Sequence, residues 1–179
     1  MTDKWIAILA AACLMSLNTA EAKARLAAGT QSRETLREIE DNARRIANDA
    51  ETIDALTRDE HPLSQGTLPY LESMRERINR AGRQLRALDA GRASLLPWEQ
   101  RTLDQVVPLL ADAARAETQA IEYWNANRIR PMGAEFRDSL TRLESDTARA
   151  ARIISDHFKL AAAQASEERM SEVLNAVKN

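Results

Sequence analysis

Apolar residues recur along most of the chain at alternating intervals of three and four, and this seven-residue rhythm limits the fold more than any other feature. From Ser32 to about Arg58 the positions are Leu36, Ile39, Ala43, Ile46, Ala50 and Ile53. A second run follows Thr67, a candidate N-cap with Pro69 in the first turn, and comprises Leu71, Met74, Ile78, Ala81, Leu85 and Leu88. The third opens at Pro97, with Glu99 near its positive end, and carries Leu103, Val107, Leu110, Ala114, Ile121 and Trp124. The fourth ends near Ala163 and carries Phe136, Leu140, Leu143, Thr147, Ala150, Ile154, His157 and Ala161. Strands alternate with a period of two, so each run reads as an amphipathic helix with one buried stripe.

Turn chemistry separates the runs: Pro62 and Gly66 after the first, Asp89-Ala90-Gly91 after the second, and Pro131 and Gly133 after the third. Pro108 lies inside the third run and predicts a kink or a split near Val106. Runs of about 20 to 30 residues make rods of about 30 to 45 Å. Similar lengths joined by short connections predict an all-α, antiparallel up-and-down four-helix bundle over residues 23–165, the alternative being a pair of long helical hairpins that dimerise. Past Ala163 the register slips. Met170, Val173, Leu174 and Val177 form a new stripe, and Ser166-Glu167-Glu168 predicts a separate short amphipathic helix over 166–179, packed on the bundle or on a partner.

Composition agrees with a helical protein, since Gly and Pro number 5 each and aromatics reach only 4%. A net charge of −2 does not point to nucleic acid. At the N-terminus Lys4 precedes an apolar run from Trp5 to Leu17 and the small-residue pattern Ala20-Glu21-Ala22. That order predicts a secretory signal peptide over 1–22, cleaved before Lys23, and a periplasmic or secreted protein. The run falls short of the roughly 20 apolar residues of a stable membrane span. Lipidation at Cys13 is a weaker alternative, because Ala10-Ala11-Ala12-Cys13 has Leu9 one position too early for a lipoprotein cleavage box. Cleavage would leave a mature chain without cysteine, which suits an exported protein lacking disulfides.

Charge pairs the first two helices. Between Thr30 and His61 nine acids face five arginines, whereas between Tyr70 and Ala93 six arginines face three acids, and opposite signs favour adjacency. Arg80, Arg83 and Arg86 point away from the stripe and read as a solvated face.

No motif in the chain assigns a reaction. G-x-S-x-G and glycine-rich phosphate loops are missing, and neither His follows a Glu by three residues as carboxylate-bridged di-iron bundles require. The bundle places His61 at one end and His157 about 34 Å away, so they share no metal. Met74 also lies a long way from His157, which weighs against a haem with those two ligands, and the chain has no C-x-x-C-H. Glu117 stands where the third stripe calls for an apolar residue, and is expected at the stripe's edge beside an arginine, with Ala113, Ala116 and Ala120 offering this helix an alternative face.

One uneven feature remains. Tyr70, Tyr123, Trp124 and Phe136 gather at the end of the bundle that carries His61, with Met74, Met132, Arg128 and Arg130 around them. Such a group either closes the bundle as a core cap or forms a pocket for a small anionic ligand or a peptide, with Arg128 and Arg130 supplying the charge. Leu96-Pro97-Trp98-Glu99-Gln100 resembles the L-T-x-x-Q motif of periplasmic stress chaperones, with Pro in place of Thr, over too few residues to assign a family. The chain is also similar in outline to chemoreceptor sensor domains, without their second membrane segment. The reading is an exported, non-enzymatic helical bundle that works by binding a ligand, a protein partner or a second copy, with no cofactor. A haem- or metal-binding bundle is the alternative.

Overall fold

The computed structural model describes the backbone of residues 3–58, 67–127 and 133–178 and the side chains of 29–57, 67–127 and 133–177. Its elements are α1 (Asp3–Arg58), α2 (Thr67–Ala90), a single 3₁₀ turn (Arg92–Ser94), α3 (Pro97–Ala126) and α4 (Ala134–Lys178). The chain folds as a helical bundle. His61, Pro62 and Gly66 lie outside the described residues, as do Arg128, Arg130, Pro131 and Met132.

The stripes of the first, second and fourth runs are the core. The six α1 stripe positions, Leu36, Ile39, Ala43, Ile46, Ala50 and Ile53, are at most 1% exposed, and all six stripe positions of α2 are buried. On α4, Phe136, Leu140, Leu143, Thr147, Ala150 and Ile154 are fully buried. The core divides into two clusters, each drawing on all four helices. One joins Ile46, Ile53, Leu71, Met74, Ala116, Trp124, Phe136 and Leu140, and the other joins Leu36, Ile39, Leu85, Leu88, Leu103, Val106 and Ile154.

On α3 the buried face is rotated from the expected one. Val107 is 41% exposed, and Val106, Ala113, Ala116 and Ala120 take the interior, with Leu103, Leu110 and Trp124 as expected. The column of alanines is the physical reason, because small side chains let α4 approach closely, and α3 and α4 are the most intimately packed pair. The same rotation explains why α3 does not split. Pro108 lies on the exposed side, so the carbonyl of Asp104 that loses its partner faces water and the helix continues.

Two boundaries also differ from expectation. α1 begins at Asp3 rather than near Ser32. α4 runs unbroken to Lys178, with no separate helix at Ser166, because Ala161-Ala162-Ala163 offers no glycine or proline at which to stop. Its last turns do not pack on the body: Met170, Val173, Leu174 and Val177 are 64%, 62%, 57% and 80% exposed.

The α2–α3 connection is closely specified. Gly91 donates its N–H to the carbonyl of Leu88, and Ser94 donates to the carbonyl of Gly91. Gln100 holds the turn by donating to the carbonyls of Arg92 and Leu95 at 3.0 and 3.1 Å. Pro97 occupies the first turn of α3, and Glu99 accepts the N–H of Leu96 at 2.8 Å. The likeness of residues 96–100 to the chaperone motif therefore has a local cause here: Glu99 and Gln100 fix a helix start. As the charge pattern predicts, α1 and α2 are joined by Arg77 with Asp49 and by Gln84 with Glu38, while Arg80, Arg83 and Arg86 are exposed.

Candidate functional site

α2 buries a stripe only two residues wide per heptad and packs less closely on its neighbours than α3 and α4 pack on each other. Between α2 and α3 this leaves a groove of about 460 Å³, within the roughly 300–1,000 Å³ of small-ligand sites. Ile78, Gly82 and Leu85 form the α2 side, and Leu103, Val107, Leu110, Ala111 and Ala114 form the α3 side. Gly82 gives it depth: a Cβ there would meet nothing closer than Nη1 of Arg86 at 3.7 Å. The groove follows α2 from Ile78 to Asp89, about 17 Å of helix, and ends at Arg92 in the 3₁₀ turn.

Charge is placed unevenly along it. At the end near the α2–α3 turn, Arg92 is paired with Asp89 at 3.1 Å and with Asp104 at 2.5 Å, and both carboxylates hold its guanidinium more firmly charged. Arg86 lies across the glycine and forms no ion pair among the described residues, although Asp89 and Asp104 line the same groove.

Past the other end, one turn beyond Ala114 and one turn before Ile78, stand Glu117 and Arg75. Glu117 is only 4% exposed, and its Oε1 has no hydrogen-bond partner among the described residues. Burial pushes its carboxyl up to about 7, against a smaller opposing pull from Arg75. It is therefore interior and not at the stripe's edge, and Arg75 acts on it without forming an ion pair. The sequence marked this position as one calling for an apolar residue, which was the available signal for its burial.

The aromatic end is partly assembled. Tyr123 and Trp124 both pack on Phe136, with ring centroids 6.2 and 5.8 Å apart. Trp124 is 8% exposed and Phe136 fully buried, so these two are core; Tyr123 is half-buried and Tyr70 is 39% exposed. A Cβ at Gly133 would sit 1.8 Å from the Tyr123 hydroxyl, so a larger residue there would require the Tyr123 ring to move. The hollow beside Tyr123 is bordered by Glu122, Glu135, Asp138 and Arg142, a mostly acidic rim. Arg128 and Arg130, the expected source of positive charge, are outside the described residues.

A second aromatic group occupies the opposite end, where Trp98 packs on Phe158 at 5.2 Å and Arg37 lies over the Phe158 ring. His157 is beside it and shares a 2.7 Å hydrogen bond with Thr102. Because the Thr102 hydroxyl donates to the carbonyl of Trp98, it accepts from Nδ1–H of the histidine. Met74 belongs to the other half of the core, with Trp124 and Phe136, so the two candidate haem ligands are not brought together. Among the described residues no group of three or more His, Cys, Asp or Glu side chains is placed to hold a metal ion, and no helix is long and apolar enough to cross a membrane.

Comparison with family models, with curated proteins and with solved structures finds no match for this chain.

Proposed function

We propose that this chain is an exported, antiparallel up-and-down four-helix bundle that works by binding, and that it takes a small amphipathic anion in the groove between α2 and α3. The single observation that carries the reading is the guanidinium of Arg86, which forms no ion pair among the described residues, lying across Gly82 beside an apolar floor. An apolar ligand body would displace water from Ile78, Leu85 and Leu110. One carboxylate, sulfonate or phosphate on that ligand would accept the charge-assisted hydrogen bonds of Arg86. The ion-paired Arg92 closes the far end and leaves Arg86 as the charge available to a guest. Export rests on the N-terminal charge, apolar run and Ala20-Glu21-Ala22 pattern.

Titration with decanoate and with 1-decanol tests the site. The acid binds saturably and more tightly than the alcohol, and Arg86→Ala weakens the acid by about tenfold while leaving the alcohol unchanged. Equal affinity for both, or equal loss of both, would remove Arg86 from the site. Export is tested by sequencing the N-terminus of protein recovered from the cell envelope, where Lys23 is the expected first residue and Met1 would contradict it.

A further inference from the structure

The last turns of α4 present an apolar face that the molecule's own core does not reach. Continuing the spacing of Ala150 and Ile154, which are buried, and of His157 and Ala161, which are half-buried, leads along the helix to Gln164, Glu168, Ser171 and Asn175, all of them polar. The apolar residues run one position earlier, at Ala163, Met170, Leu174 and Val177, about 100° around the helix from the core face. α4 is continuous through this slip, and every side chain from residue 162 to 177 is exposed, so the new stripe stands outside the described core. All of these side chains are exposed.

We infer that this stripe is a self-association surface, on which a second copy of the same segment packs antiparallel. The heptad sets Glu167 and Leu174 at a positions and Ala163, Met170 and Val177 at d positions. A parallel pair would set Glu167 against Glu167 inside the seam, a like-charge contact. Antiparallel pairing of Met170 with Leu174 of the second copy removes that contact and brings Glu167 beside the second copy's Val177 and Lys178. It also sets Val173, which flanks the seam, next to Val173 of the second copy across the two-fold axis. In that register Lys178 falls level with residue 166 of the second copy, about 12 Å of helix beyond Phe158.

An anionic lipid surface fits less well, since Glu167, Glu168 and Glu172 outnumber Arg169 and Lys178 on this stretch. The exposed fractions of Met170, Val173, Leu174 and Val177 correspond to roughly 400 Å² per copy, about half of the 800 Å² of a standard interface. The dimer is therefore weak and concentration-dependent.

Sedimentation equilibrium of the full chain over a wide concentration range gives a monomer–dimer equilibrium. Leu174→Glu weakens it by at least about tenfold without changing the helical content, because the residue is exposed in the monomer. In a Cys13→Ser background, Val173→Cys oxidises to a covalent dimer and Leu174→Cys does so far less. A chain that is monomeric throughout, or a dimer unaffected by Leu174→Glu, would overturn the inference. Preferential cross-linking through Leu174→Cys would overturn the antiparallel pairing. Binding to phosphatidylglycerol vesicles that Leu174→Glu abolishes, in a chain that stays monomeric, would replace the second copy with a lipid surface.

Discussion

Glu99 and Glu117 lie on the same helix, eighteen residues or five turns apart, and therefore on the same side of α3. Both are buried, yet their surroundings differ in every respect. Glu99 sits in the first turn, where the helix end is positive, and accepts hydrogen bonds from Leu96 N–H and the Ser32 hydroxyl, each at 2.8 Å. Arg33 stands 3.9 Å away and adds charge. Glu117 is in mid-helix, where backbone donors are already used, with one oxygen unpartnered and only Arg75 to favour its ionised form. The contrast teaches that burial by itself does not decide what a carboxylate does for a fold. One glutamate is part of the joint between α1 and α3; the other leaves an ionisable weak point where the α2–α3 seam closes beyond the groove.

The largest expected effect is at the satisfied site. Glu99→Ala leaves the Ser32 hydroxyl and the Leu96 N–H without their acceptor and lowers unfolding free energy by about 2–3 kcal/mol in urea titrations. A loss below ~0.5 kcal/mol would show that Glu99 and Glu117 are equivalent and break the comparison.

Glu117 has the opposite sign. Its carboxyl is raised from 4.5 to about 7 in the folded chain, so the folded state holds the proton longer than the unfolded state does. The group's contribution to stability is fully present below the unfolded value and is lost as pH rises through the folded value. Glu117→Gln, neutral at every pH, is therefore stabilising by about 1–2 kcal/mol at pH 8 and near zero at pH 4. Thermal melts of both proteins across that range check it, and a pH-independent difference would contradict it. The smallest effect belongs to Arg75→Gln, which removes the one charge that holds Glu117 down and moves its titration midpoint further up. Carbon-13 shifts of the labelled carboxyl read that movement directly, and a downward shift would contradict it.

The same contrasts show what was legible in the sequence. The α1, α2 and α4 stripes could be read because each offers a single column of large apolar residues against charged neighbours. On α3 the alanines 113, 116 and 120 made a second face, and only the close approach of α4 chose between them and the larger Val107 and Ile121. The position of Glu117 was visible as a gap in a stripe, but its lack of a partner depends on what α2 presents opposite it. The groove was not visible, since it arises where Gly82 of α2 meets Ala111 and Ala114 of α3, a register between helices that no single helix encodes. A glycine in mid-helix with no capping role was the one available sign. The aromatic residues drew attention to the other end because aromatics are scarce, yet Trp124 and Phe136 are spent on the core.

The most direct test of the account is where a ligand touches the molecule. In ¹H–¹⁵N spectra of the labelled protein titrated with decanoate, the account predicts saturable shifts confined to the amides of Gly82, Arg86, Ala111 and Ala114, lost in Arg86→Ala. Shifts centred instead on Tyr123, Trp124 and Phe136, with Gly82 and Ala111 unmoved, would contradict it and return the site to the aromatic end.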